Sequence, residues 1–369
     1  MNIYLLAFFG LMSFHHSKAQ PKLASNGINN SSIQITKEQS ELIYNHVILL
    51  PNNTELSIAI IERGKTKFIG IKRVNDTIKL IKNYQSIFEI GSISKVFTAT
   101  LLSSLVLEKK IKLDDAIQDY IDFKISINDN ITFIELANHT SGLPRLPPNL
   151  DFSVVDDNNP YKDYDSQKLT EYLSGKIKLN QKPGIKYEYS NLGYGILGFQ
   201  LVALAKTTYE DLLKQKIFTK FGMLNSTTQR NKVNHEIVSG LKPDGNLAMN
   251  WDFNALSGCG AILSSTEDLS KFALAQFDKK NKELVLTQEP TFKVNEKISL
   301  GLGWHILHNK NQNELVWHNG GTGGYSSSMA LDIKNKKGII ILSNVSAFSE
   351  KMEKIDQLCF GLVKTLNGK

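Results

Sequence analysis

One stretch of the chain carries apolar residues on every face of the helix that it predicts. From Ile93 to Val106 they fall on all faces of a 3.6-residue helix, which predicts a helix buried nearly all round. Lys95 nevertheless lies in the first turn of this helix. Burial penalises a charged amine, so a buried lysine is either paired or deprotonated, and a deprotonated lysine is a base.

Both ends of the chain alternate apolar and polar residues at the period of a strand. Segments 55–63 and 66–73 flank a glycine-containing turn and predict a hairpin. Segments 327–333 and 338–344 predict a second hairpin, with a further strand before it at 315–318. Apolar spacing near the C-terminus predicts a closing helix.

The middle of the chain has a different pattern. Residues from about 112 to 250 have the spacing of short helices broken by loops. We therefore predict an α+β fold in which an antiparallel sheet is built from both termini and flanked by helices. The α/β part takes up about 36–111 and 251–369, and a mostly helical region is inserted at about 112–250.

The N-terminal segment predicts export. An apolar run over residues 3–14 is followed by small residues at Ser17 and Ala19, which is typical of a signal peptide cleaved before Gln20, although no basic residue precedes the run. The run is too short to span a membrane, and no cysteine follows it to carry a lipid. We expect residues 1–19 to be removed and the protein to be periplasmic or secreted, with no stable membrane anchor; cytoplasmic residence is the alternative.

Charge and cysteine content narrow the classes of function. The net charge is +7, but the lysines are interleaved with acids, so nucleic acid is not an expected partner. Cys259 and Cys359 are too few for a disulfide framework; one bridge is possible, but we favour two buried thiols. His305 and His308 fall on opposite faces of a predicted strand, so we expect no metal site.

A serine one helical turn before Lys95 gives that lysine a chemical use. Ser92 and Lys95 are i and i+3 neighbours on one helix face, where a neutral amine can take the serine proton and the helix dipole favours an alkoxide. The alternative is a helix cap beside a snorkelling lysine. A second S-x-x-K, from Ser239 to Lys242, opens no buried helix.

A nucleophilic serine also needs a proton relay. The segment YEYSNLGYG, residues 187–195, offers Tyr189 as the relay. Two residues later, Asn191 supplies an amide that can hold a substrate carbonyl or the lysine. The alternative is a plain turn from strand to helix.

The developing oxyanion needs donors as well. In VWHNGGTGGYSS, residues 316–327, a strand ending at His318 runs into glycines, whose backbone can approach an acyl group closely. The Gly321 amide can then pair with that of Ser92. A flexible turn is the alternative; a phosphate loop is excluded because no helix follows the glycines.

Three motifs in this order resemble a known family. S-I-S-K at 92–95, Y-S-N at 189–191 and H-N-G at 318–320 resemble the serine β-lactamase and penicillin-binding family, specifically its class C-like branch. The resemblance covers about 40–365 and includes the flanking stretches LANHTSGLPR and GCGAILSSTEDLSKF.

The resemblance implies a role for each motif residue. Ser92 is the acylated serine, Lys95 its base or the partner of its base, and Tyr189 the proton relay. Asn191 holds the substrate amide. The third motif consists of His318, Asn319 and Gly320, where many β-lactamases of this kind begin with lysine instead of histidine. Because the unperturbed pKa of histidine is about 6.5, a charged His318 should favour carboxylate substrates as the pH falls.

We therefore expect an exported, monomeric serine hydrolase that acts through an acyl-enzyme on Ser92 without a metal or organic cofactor. By resemblance, its small-molecule or peptide substrates are β-lactams first, with D-alanyl peptides and carboxylic esters as alternatives. The loop near 143–165 should form the substrate cavity. A penicillin-binding or sensor domain that acylates without turnover is a second hypothesis, and a structural domain with a dead site is a third.

Overall fold

Nine strands form one antiparallel sheet in the computed structural model, which describes residues 35–175, 177–308 and 314–366. In chain order the strands are Glu55–Glu62 (β1), Lys65–Val74 (β2), Thr77–Ile81 (β3), Phe88–Glu89 (β4), Leu263–Ser264 (β5), Phe292–Asn295 (β6), Ile298–Leu300 (β7), His305–Leu307 (β8), Leu315–Gly321 (β9), Ser326–Asp332 (β10) and Lys337–Ser343 (β11). The sheet order is β3-β2-β1-β11-β10-β9-β8-β7-β6, while β4 and β5 pair separately. N-terminal and C-terminal strands therefore meet at the β1–β11 pair.

Helices cover both faces of this sheet. They are Lys37–Val47 (α1), Ser94–Leu107 (α2), Phe133–Ala137 (α3), Ser166–Ser174 (α4), Asn191–Ala205 (α5), Tyr209–Leu213 (α6), Thr266–Gln276 (α7), Lys282–Gln288 (α8) and Glu353–Leu366 (α9). α1 and α9 pack on one face, and α7 packs against β1 and β11 on the other. α2 contacts α5 and α8 within the larger core.

Strand β1 is buried on both faces of the sheet. Ile58 and Ile60 pack in the cluster under α1 and α9, whereas Ala59 and Ile61 pack in the larger cluster that contains α2. Successive side chains of a strand point to opposite faces, so a strand covered on both faces is nearly continuously apolar.

The structure confirms the predicted α+β class and both hairpins. The strand predicted at 315–318 is the start of β9, and the closing helix is α9. The inserted region, with boundaries at about 112 and 250, stays a prediction. The predicted signal peptide at 1–19 lies outside the described residues.

Two further features bear on the sequence analysis. Cys259 and Cys359 are both buried and unbridged, as favoured above. Within the described ranges, no helix is both long enough and apolar enough to cross a membrane.

Candidate active site

The candidate nucleophile lies in a tight turn between β4 and α2. Gly91–Ile93 forms one turn of 3-10 helix, so Ser92 precedes the α-helix itself. Gly91 has a φ of 51°, and a Cβ on it would lie 2.5 Å from the Gly321 nitrogen. Only glycine fits there, because both the backbone angle and the approach of β9 exclude a side chain.

Lys95 is fully buried beside Ser92. Its Nζ lies 2.9 Å from the Ser92 Oγ and donates a hydrogen bond of 2.6 Å to the Cys259 carbonyl. Burial lowers the pKa of this amine to about 7, and the Arg145 charge also acts to lower it. Because the carbonyl takes one N–H, the neutral amine can turn its lone pair to the serine hydroxyl.

Tyr189 is brought to the same point from the start of α5. The Ser190 hydroxyl accepts from the Gly193 amide and caps the helix, while the Ser190 amide donates to His139 Nδ1 at 3.1 Å. The His139 ring stacks on Tyr189 with centroids 4.4 Å apart. The Lys95 Nζ lies 4.9 Å from the centroid of the Tyr189 ring. Burial raises the pKa of this phenol, which is therefore neutral near pH 7.

The glycines of β9 bring two backbone amides together. A Cβ on Gly320 would lie 2.0 Å from the Ile90 carbonyl oxygen and 2.9 Å from the Ser92 nitrogen. The Thr322 amide donates to the Tyr325 carbonyl, so by alternation the Gly321 amide points away from β10. It lies beside the Ser92 turn, as the oxyanion hypothesis requires.

The third motif divides between the two faces of β9. The Asn319 side chain turns away from the site and donates to Asp356 on α9 at 2.8 Å. The two-residue period of a strand turns this side chain toward α9, and the predicted role of Asn319 toward substrate stays a prediction.

His318 is on the site face but is only 1% exposed. Its Nδ1 donates to the Asn319 carbonyl at 2.6 Å, and its Nε2 is buried without a hydrogen-bond partner among the described residues. Burial lowers its pKa well below 6.5, helped by the nearby His305 and Lys95. The ring is therefore neutral at pH 6 to 8, contrary to the expected partial charge, and its contact with substrate stays a prediction.

Asn191 begins α5 two residues after Tyr189. Its side-chain nitrogen lies 3.4 Å from the Tyr161 hydroxyl, and its side-chain oxygen is buried with no partner in the described part of the chain. A free acceptor at this place suits the predicted role toward a substrate amide.

The sequence did not predict three groups that contact the site residues. The Cys259 carbonyl holds Lys95, the His139 ring supports Tyr189, and the Arg145 guanidinium carbon lies 5.0 Å from the Tyr189 ring centroid. All three lie in the flanking stretches that carried the family resemblance. Their location was a usable signal, but it did not specify which atom acts.

Aromatic rings form one side of the site. Tyr161 stacks on Phe253 with centroids 4.7 Å apart and lies 5.4 Å from Trp251. A Cβ on Gly323 would be 2.7 Å from Trp251 Nε1, so this wall meets the glycines after β9. Tyr161 and Arg145 belong to the loop that was expected to shape the cavity. No three His, Cys, Asp or Glu side chains of the described residues are grouped to hold a metal ion.

Comparison with solved structures places the fold. A β-lactamase/D-alanine carboxypeptidase from Yersinia pestis, complexed with citrate, has a TM-score of 0.74 at 21% identity, over 89% of this chain and 99% of that one. A class C β-lactamase has a TM-score of 0.75 at 20% identity, over 90% of this chain and 96% of that one.

Comparison of sequences gives the family. Protein flp of Staphylococcus aureus (strain NCTC 8325 / PS 47) is 26% identical over 85% of this chain and 64% of its own length. Penicillin-binding protein 4* of Bacillus subtilis (strain 168) is 29% identical over 70% of this chain and 61% of its own length. The chain thus spans less than two thirds of these relatives. The model of the Beta-lactamase family matches residues 54–358, and the chain therefore belongs to that family.

Proposed function

We propose that this protein is a serine hydrolase that cleaves amide or ester bonds through an acyl-enzyme on Ser92. The observation that carries the proposal is the distance of 2.9 Å between the Ser92 Oγ and the Nζ of a fully buried Lys95. A base whose pKa lies near the working pH is both deprotonated often enough and basic enough to take a proton.

The reaction follows from this arrangement. Neutral Lys95 takes the Ser92 proton as Oγ attacks the substrate carbonyl carbon. The amides of Ser92 and Gly321 donate to the oxyanion, which stabilises it. Tyr189, a neutral phenol, donates its proton to the leaving nitrogen or oxygen and regains one from Lys95. Water then attacks the ester carbon by the same route, and the acid is released.

β-Lactams are the first substrate class to test, and D-alanyl peptides and carboxylic esters are the alternatives. The curated relative from Bacillus subtilis is named as penicillin-binding, and a solved neighbour as a β-lactamase/D-alanine carboxypeptidase. The neutral, buried His318 leaves no cation at the start of the third motif, which weighs against efficient β-lactam turnover. Export and a monomeric state stay predictions.

Incubation with a labelled penicillin, followed by intact mass and burst kinetics, tests the proposal. We expect wild type to gain one acyl group and then to release product repeatedly, and Ser92→Ala to show neither. Ser239→Ala is the matched control, since Ser239 is exposed and belongs to the other S-x-x-K.

Two outcomes would change the conclusion. Product that stops at one equivalent would identify a penicillin-binding domain without turnover. Labelling that persists in Ser92→Ala would refute the nucleophile.

A further inference from the structure

The loop before α5 holds an arginine on a fixed backbone. The Arg145 carbonyl accepts from the amides of Asn191 and Leu192 at 2.9 and 3.1 Å, and the Pro144 carbonyl accepts from the Ser190 hydroxyl at 2.7 Å. The arginine is thereby tied to the start of the helix that carries Asn191. Its side chain extends from a preorganised position, which lowers the entropic cost of binding a ligand.

The guanidinium itself is without an anionic partner. It is half-buried and lies over the Tyr189 ring, and no ion pair or side-chain hydrogen bond joins it to another described residue. Arg230, by contrast, pairs with Asp252. A guanidinium keeps its charge at every physiological pH and presents five donors in a fork that fits a carboxylate.

The groups whose shifted pKa values include a contribution from Arg145 are neutral or basic. They are Lys95, His139, Tyr161, Tyr187, Tyr189 and Cys259. The buried carboxylate nearest in sequence to the nucleophile, Glu89, is held instead by Asn250 and by the Trp251 amide at 2.8 Å. Since no described carboxylate forms an ion pair with Arg145, its charge is available to an anionic ligand.

We propose that Arg145 binds a carboxylate of the substrate and so selects anionic substrates for attack by Ser92. The inference rests on the proposed hydrolase function. It assigns to the loop before α5 the positive charge that His318 does not supply, because His318 is buried and makes its one described hydrogen bond to a backbone carbonyl.

Arg145 has one competing role. A positive charge near Lys95 also holds the amine in its neutral form, so Arg145 could act on every substrate alike through the base. The two roles differ in what they discriminate: carboxylate binding affects anionic substrates only, whereas tuning of Lys95 affects all substrates and moves the pH–rate profile.

Three esters separate these roles and locate the carboxylate. They are phenyl phenylacetate, which is neutral; 3-carboxyphenyl phenylacetate, with the anion on the leaving group; and phenyl (4-carboxyphenyl)acetate, with the anion on the acyl group. We expect Arg145→Gln to lower kcat/KM about 10- to 100-fold for one anionic ester, as suits a lost charge-assisted contact, and less than threefold for the neutral ester. The ester that is affected shows which side of the substrate carries the anion.

Matched variants control for charge and for packing. Lys186→Gln removes one positive charge from an exposed position on the segment leading to Tyr189, and it should leave the ratio of the esters unchanged. Arg145→Met keeps the aliphatic stem. If Arg145→Gln folds poorly, Arg145→Met replaces it, and the same loss on one anionic ester is expected. Arg145→Lys keeps the charge without the fork and should lose less.

Equal loss on all three esters, with the acid limb of the profile moved to higher pH, would overturn carboxylate binding in favour of tuning of Lys95. Unchanged rates would overturn it too. If wild type hydrolyses none of the esters, binding decides on Arg145 separately; the proposed function itself fails only if the labelled penicillin also leaves Ser92 without an acyl group. Calorimetry should then show that at least one of the two anionic esters binds the Ser92→Ala protein at least tenfold more tightly than it binds the Ser92→Ala, Arg145→Gln double variant. If both anionic esters bind the two proteins with equal affinity, the proposal is rejected.

Discussion

Lys95 on α2 and His318 on β9 are two basic side chains whose pKa values burial lowers alike, with opposite consequences for their chemistry. Burial lowers the pKa of Lys95 from 10.5 to about 7, so a group that is normally a permanent cation becomes a base in the working range. It lowers the pKa of His318 well below 6.5, so a group that normally titrates near pH 7 is neutral there. Residue type alone would have assigned the two roles the other way round.

The difference also appears in their partners. Lys95 Nζ has the Ser92 hydroxyl and the Cys259 carbonyl within 2.9 Å, whereas the basic nitrogen of His318, Nε2, has no partner among the described residues. A base acts only through an atom that its lone pair can reach. We therefore propose that proton transfer takes place at Lys95 and that His318 forms a neutral wall of the site.

The largest expected effect comes from making the cation at Lys95 permanent. Lys95→Arg keeps the charge and the approximate length but cannot lose its proton, so we expect kcat/KM for a neutral aryl ester to fall about 10²- to 10⁴-fold, as for loss of a general base. Steady-state rates and a melting curve measure activity and folding together. A variant that folds and keeps a tenth of the rate would show that Lys95 acts by charge alone.

The next effect is the pH dependence of wild type. Because Lys95 acts in its neutral form and has a pKa of about 7, kcat/KM for a neutral ester should fall tenfold per pH unit below about 7. The measurement is a pH–rate profile from pH 5 to 9. Glu89, whose pKa burial raises to about 7, titrates over the same range. The fall in kcat/KM at low pH, which is the acid limb of the profile, should therefore also be measured in Glu89→Gln and should persist there.

His318→Asn completes this set of controls. Since His318 is neutral from pH 6 to 8, the limb should persist in this variant, and the ratio of rates for an anionic and a neutral ester should stay level over that range in both proteins. If the ratio rises toward pH 6 in wild type but stays level in His318→Asn, His318 carries charge and binds the carboxylate.

The sequence was sufficient for features that depend on spacing. The i, i+3 relation placed Ser92 beside Lys95 even though Ser92 is in a 3-10 turn, and alternation gave the hairpins of the sheet. Alternation also predicts that the Asn319 side chain points away from that of His318, because neighbours on a strand face opposite sides.

Other features required the tertiary fold. The depth of His318 depends on what covers β9, and the Cys259 carbonyl is a backbone atom that every residue type carries, so neither has a signature in the sequence. Arg145 lies in a loop, where no period predicts the direction of a side chain. Its proposed role in binding a carboxylate depends on its having no ion-pair partner among the described residues, which only the folded structure shows.

The smallest effect concerns stability, and it tests the burial of His318 directly. Below pH 6.5 an unfolded chain protonates this histidine, while the folded protein, with its lowered pKa, does not. The unfolded state then binds more protons, so this group makes the free energy of unfolding rise with pH, and its contribution is lost as the pH falls below about 6.5. In His318→Asn, which keeps a donor for the Asn319 carbonyl, the slope between pH 6.5 and 5 should be smaller than in wild type by up to about 1.4 kcal/mol per pH unit. Glu89 and Asp356, whose pKa values burial raises, oppose the trend in both proteins, so the difference of slopes from urea titrations is the quantity to measure. Equal slopes would mean that His318 titrates alike in both states, and the contrast with Lys95 would no longer hold.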